Sequence, residues 1–142
     1  MKNDRLADLG LLFARLALAA VMLIHGTPKM IPGGPNGDWP GFSAQIELFE
    51  QNLGVPPLFA VLAIFAEFLG GIGILLGLLT RLAAFGIACN MGFALYTHIA
   101  AKDPLSRMEL PGAMLLIALC LLCTGAGGKS LDSVWFGRKG NK

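Results

Sequence analysis

Three side chains of this 142-residue sequence sit where hydrocarbon is expected: Arg15 in LLFARLALAAVML, Glu67 in IFAEFLGGIGILLG and Asn90 in GIACNMGFAL. An arginine at mid-membrane costs roughly 2.5–3.5 kcal/mol on insertion scales, and buried ionisable groups there pair with one another or face a cavity. His25, Lys29 and His98 stand near the ends of two of the same runs. A carboxylate and an imidazole can carry protons, and an ammonium, a guanidinium and a carboxamide can hold the polar head of a ligand. The six residues outline a polar intramembrane pocket.

The elements that must position them are membrane spans. The chain is 55% hydrophobic and 14% charged, with mean hydropathy +0.67. A soluble domain would carry about a quarter charged residues. Four apolar runs fall at about 9–26, 57–79, 82–101 and 110–124. A helix crossing ~30 Å of hydrocarbon needs about 20 residues, so the first and last are short. Pro28 is expected to end the first, because the residue before a proline is pushed out of helical geometry. Arg15 interrupts the N-terminal run, which reads as a retained span rather than a signal peptide. Thr80 and Arg81 join spans two and three as a tight hairpin.

The long connection opens with the turn signals IPGGPNGDWPG. Phe42, Ile46, Phe49 and Leu53 then form one helical stripe opposite Glu47 and Glu50. This predicts a short helix, either lying at the membrane interface or packed on the end of the bundle. The expected fold is all-α: a polytopic membrane protein, one four-helix bundle with a short interfacial helix in its first extracytoplasmic loop. Lys2, Arg5, Arg81, Lys129, Arg138, Lys139 and Lys142 fall on one side, and Lys29, Lys102 and Arg107 on the other. The positive-inside rule puts both termini in the cytoplasm.

Counting rise per residue places Glu67 and Asn90 about 15 Å below the outer ends of their spans, and Arg15 about 20 Å below Pro28. The expectation is that Glu67 pairs with Arg15, with Asn90 nearby. Gly70, Gly71 and Gly77 lie near the Glu67 face of span two, where small residues let helices approach. His25, Lys29 and His98 form the outer mouth. Two histidines without a third ligand do not make a metal site, and none is expected. A structural ion pair and a ligand-binding, proton-moving core remain two open readings of the same residues.

Cys120 and Cys123 have the C-x-x-C spacing of a thiol redox pair. They fall toward the cytoplasmic end of span four, where thiols stay reduced. GAGGKS at 125–130 lacks the first glycine of a phosphate loop, since position 123 is cysteine. A net charge of +2 with no basic cluster argues against nucleic acid.

An arginine in span one, HGTPK at its end, EFLGGIGILLGLLTRLAA, a histidine closing span three and GAGGKSLD after span four together resemble the DoxX family of small four-helix bacterial inner-membrane proteins. The likeness covers nearly the whole chain. It implies a redox-linked component of the membrane, associated with quinone and with a redox partner protein, and it assigns no catalytic residue. The alternative is a non-catalytic scaffold, or a small-molecule transporter acting as a homo-oligomer.

Overall fold

The computed structural model describes residues 2–135. Arg138, Lys139 and Lys142, which enter the charge bias, lie outside the described residues. Six helices follow in order: α1 (Lys2–Met30), α2 (Gly41–Leu53), α3 (Pro57–Leu76), α4 (Thr80–Ala100), α5 (Leu105–Thr124) and the short α6 (Leu131–Trp135). Within α1 the span is Arg5–Met30, and with α3, α4 and α5 it makes four helices long and apolar enough to cross a membrane. α1 packs along α3, α4 packs along α5, and α3 against α4 joins the two pairs. The end carrying residues 31–56 and 101–104 is called here the loop end. The opposite end, with the α3–α4 turn and the segment after α5, is the turn end.

The core is a seam of Leu18, Met22, Ile74, Ile87, Met91, Met114 and Leu121, with small alanines at 19, 84, 88 and 118. Phe13, Ile24, Leu58, Leu82, Phe85 and Leu116 point outward. An apolar outer surface of this extent suits lipid as solvent and would be an aggregation hazard in water.

Three expected boundaries shift. Pro28 does not end the first span; α1 runs on to Met30 with the proline inside it. A helical proline removes one backbone hydrogen bond, and in spans nearby hydroxyls often compensate the freed groups. Here the Thr27 hydroxyl donates to the Leu23 carbonyl at 2.6 Å, one residue before the Ile24 carbonyl that the proline leaves without its usual amide. Span four starts at Leu105 rather than Leu110, with Pro111 accommodated inside α5. Both end spans are therefore long enough to cross. The α3–α4 turn is Gly77–Leu79, while Thr80 and Arg81 belong to the first turn of α4. Gly77 takes the left-handed φ of +65° that closes α3, a conformation that costs a residue with a Cβ.

The short helix α2 forms where the apolar stripe placed it. It packs on α3 and α1. Phe42 stacks on Phe65 with ring centroids 5.8 Å apart. Its start is therefore level with the ninth residue of α3, so α2 lies along the loop-end half of that helix.

Candidate functional site

Arg15 and Glu67 do not meet. Arg15 is 2% exposed, and its guanidinium makes four hydrogen bonds to backbone carbonyls. Nε donates to Ile74 at 2.9 Å, Nη2 to Leu75 at 2.8 Å, and Nη1 to Lys129 at 2.7 Å and Ala126 at 3.2 Å. The first two acceptors are among the last carbonyls of α3, where intrahelical donors run out; Ile74 O also accepts from the Gly77 amide at 3.2 Å. The other two belong to the segment after α5. Arg15 thus ties three parts of the chain together at the turn end.

The same end explains the GAGGKSLD tail. Asp132 accepts from the Leu79 and Thr80 amides at 2.8 and 2.9 Å, capping the start of α4. Its own amide donates to Gly77 O at 2.8 Å. Asp8 accepts from the Gly128 amide at 2.7 Å. A Cβ on Gly77 would lie 2.5 Å from both Arg15 Nη2 and Ser130 Cβ.

The expected pairing failed on depth. Gly26 lies flat against Glu67, where a Cβ would be 3.0 Å from the Glu67 Cβ. Arg15 is eleven residues from Gly26 along α1, so about 16 Å below Glu67. Lys29 is less than one turn above Gly26, and its long stem turns back to the carboxylate.

Glu67, 5% exposed, is held by Lys29 and Asn90. The Lys29 ammonium lies 2.7 Å from Oε1 and 2.6 Å from Oε2. Asn90 Nδ2 donates to Oε1 at 2.9 Å. Oε2 has the ammonium charge beside it but accepts no aligned hydrogen bond. Lys29 also lies 5.7 Å from the Phe49 ring centroid, a cation–π contact to α2. Four helices thereby meet at one ion pair.

Gly70 and Gly71 allow this closeness. A Cβ on Gly70 would press Ile87 of α4 at 3.3 Å, and one on Gly71 would press Leu23 of α1 at 3.1 Å.

Two cavities share the ion pair. The larger, about 790 Å³, lies between α2, α3 and α4. Its walls include Phe49, Phe59, Leu62, Phe85 and Phe93, and its polar end is Lys29, Glu67 and Asn90. Leu62, Phe85, Cys89 and Phe93 face outward at its rim. The smaller, about 410 Å³, lies between α1, α4 and α5 and contains His25 and His98 with Lys29 and Glu67. Arg15 lines neither.

Sequence reasoning missed Cys89, Ser106 and Arg107 as lining residues and Asp103 beside them. Asp103 and Arg107 stand four apart, the spacing of a helical ion pair, which was a usable signal. Cys120 and Cys123 are free thiols on the outer face of α5, away from both cavities. No group of three His, Cys, Asp or Glu side chains is placed to hold a metal among the described residues.

The DoxX family model matches residues 10–100. The chain is 32% identical over 136 residues to the inner membrane protein YphA of Escherichia coli K12, covering 86% of this chain and 87% of YphA. It is 28% identical over 135 residues to the inner membrane protein YqjF of the same strain, covering 90% and 93%. It is 26% identical over 135 residues to CatD of Bacillus subtilis 168, provisionally named an oxidoreductase, covering 94% and 92%. No solved structure matches the chain.

Proposed function

The chain belongs to the DoxX family of bacterial inner-membrane proteins, and for this member we propose a redox-linked role in which the larger cavity holds a quinone-class ligand. The observation that carries this reading is the form of that cavity: about 790 Å³, with apolar walls and a charged pair plus a carboxamide at one end. The volume falls within the range of small-molecule sites. A quinone presents two carbonyl acceptors on an apolar ring with an isoprenoid tail. The ammonium has three hydrogens and the carboxamide two, so Lys29 and Asn90 keep donors after binding Glu67. The outward-facing rim between α3 and α4 gives the tail a way into lipid.

In this reading a partner protein supplies the electrons, and the chain's own residues position the ring and exchange its protons. The name given to CatD of Bacillus subtilis points in the same direction for that protein. The bias of lysine and arginine supports an orientation with the turn end and both termini in the cytoplasm and the loop end outside. The competing reading is a scaffold or a small-molecule transporter, in which the Lys29–Glu67 contact serves only to lock α1, α3 and α4 together.

Organic extraction and mass spectrometry of the protein purified in native-membrane nanodiscs separates the two. The expected result is a quinone enriched over bulk lipid in wild type and reduced at least tenfold in Glu67→Gln, with the variant still inserting and purifying. Bulk lipid alone, equal in both, contradicts the proposal.

A further inference from the structure

The two cavities that share the Lys29–Glu67 pair differ in polarity. In the larger, four of nineteen lining residues are polar or charged: Lys29, Thr97, Glu67 and Asn90. In the smaller, six of thirteen are: His25, Lys29, Glu67, His98, Ser106 and Arg107. Buried water needs two to four polar partners and room, and the smaller cavity supplies both.

At the rim of the smaller cavity a second carboxylate is committed to a histidine. His98 Nδ1 lies 2.7 Å from Asp103 Oδ2, and Arg107 Nη1 donates to Asp103 Oδ1 at 3.1 Å. The hydrogen bond from His98, and then the charge of Arg107, hold the Asp103 carboxyl below the usual carboxylate range. An ionised carboxylate only accepts, so Nδ1 carries the hydrogen. Nε2 is then the free ring nitrogen, and in the neutral ring it presents a lone pair. A carboxylate fixing one nitrogen so that the other can work is a common orienting device for histidine. The His98 side chain is 31% exposed and that of Glu67 6%. One reaches solvent and the other does not, and both line the same cavity.

We propose that the smaller cavity is a proton-exchange chamber in which His98, oriented by Asp103, relays protons between the loop-end surface and the Lys29–Glu67 pair. Nε2 takes a proton from bulk water, and the imidazolium so formed keeps its Nδ1–H on Asp103. It releases a proton through chamber water to the Glu67 carboxylate, or the neutral ring accepts one given up by Lys29. Only N–H and O–H bonds form and break. The other groups facing the chamber are His25 from α1 and Ser106 and Arg107 from α5. The Arg107 charge opposes the imidazolium and Asp103 offsets it. Asn90 faces the pair from the larger cavity. That the relay serves a bound quinone rests on the reading above; the chamber itself does not.

The test uses ligand-free protein in nanodiscs, labelled with ¹⁵N-lysine. Hydrogen exchange of the Lys29 ammonium into D₂O is followed by NMR. His98→Gln keeps the size of the side chain and removes the base. The expected result is exchange at Lys29 slowed at least tenfold, restored by added imidazole, and unchanged when Cys89 in the larger cavity is alkylated. Asp103→Asn, at a site outside the spans, gives an independent variant expected to slow exchange less and to shift its pH profile. Exchange indifferent to both variants overturns the proposal. So does slowing that imidazole does not restore, or slowing by Cys89 alkylation instead. Quinone extraction can fail without touching this result, so the two proposals fall separately.

Discussion

Arg15 and Glu67 are both buried charges within apolar spans, and they solve the problem of burial differently. Arg15 gives its hydrogens to four backbone carbonyls and lines neither cavity. Glu67 has one oxygen bonded twice, the other without an aligned bond, and a cavity on each side. A charge bonded through every one of its nitrogens is a fastening. A charge left partly open beside space is where a ligand or a proton can enter. Burial alone does not separate these cases; the census of partners and the neighbouring volume do.

That contrast predicts an order of effects. Arg15→Met comes first, because it strands carbonyls of α3 and of the tail segment. We expect a loss of at least about 3 kcal/mol, from the cost of unsatisfied buried partners. Thermal unfolding in detergent should show this, or monodisperse protein should fail to appear. Arg15→Lys recovers little, since a single ammonium lacks the fork that reaches both α3 and the tail. Should Arg15→Met melt like wild type, the fastening role is wrong.

Gly77→Ala follows, at about 1–3 kcal/mol. It combines a left-handed backbone with a clash against Arg15 and Ser130. The comparison sharpens with Gly92→Ala, where nothing lies within 4 Å of the added Cβ; that melting temperature should not fall. Equal losses in the two variants would remove Gly77 from the turn-end clamp.

The smallest effect is on the acid side, at the loop end. The Asp103 carboxyl is lowered in the folded protein, so its contribution is present above its unfolded pKa of about 3.9 and fades as pH falls through the lower folded value. Thermal stability should therefore carry a slight extra decline below about pH 4, where the unfolded carboxyl takes up its proton first. Asp103→Asn should therefore melt slightly below wild type at neutral pH and converge with it below about pH 4. A variant that matches wild type at neutral pH and departs from it only in acid would place the effect elsewhere.

Much of this was legible in the sequence. Four spans, the short α2 helix and the isolated Glu67 follow from apolar run length and the helical stripe. The vertical register did not. Treating the ends of α1 and α3 as level set the depth scale wrongly: Met30 stands about 6 Å beyond Gly26 and Pro57 about 15 Å beyond Glu67, and nothing in the letters shows that Gly26 is the residue level with Glu67. Lys29 was placed at the mouth because its position was read without its reach; a flexible four-carbon stem returns it to the carboxylate. The function of SLD in the tail was hidden for another reason. Asp132 caps a helix that begins fifty-two residues earlier, and local patterns carry no such pairing. Cys89 is invisible as a cavity residue because a cysteine in a span looks like any small apolar filler.

Cys89 also provides the most direct measurement. It lines the larger cavity, whereas Cys120 and Cys123 lie on the outer face of α5. Protein in nanodiscs is treated with a lipophilic maleimide with and without a short-tailed quinone analogue, and each cysteine is quantified by peptide mass spectrometry. The expected result is that the analogue slows labelling of Cys89 severalfold, that Glu67→Gln abolishes this protection, and that Cys120 and Cys123 label equally throughout. Labelling of Cys89 that ignores the analogue at every concentration, or protection that survives Glu67→Gln intact, would contradict it.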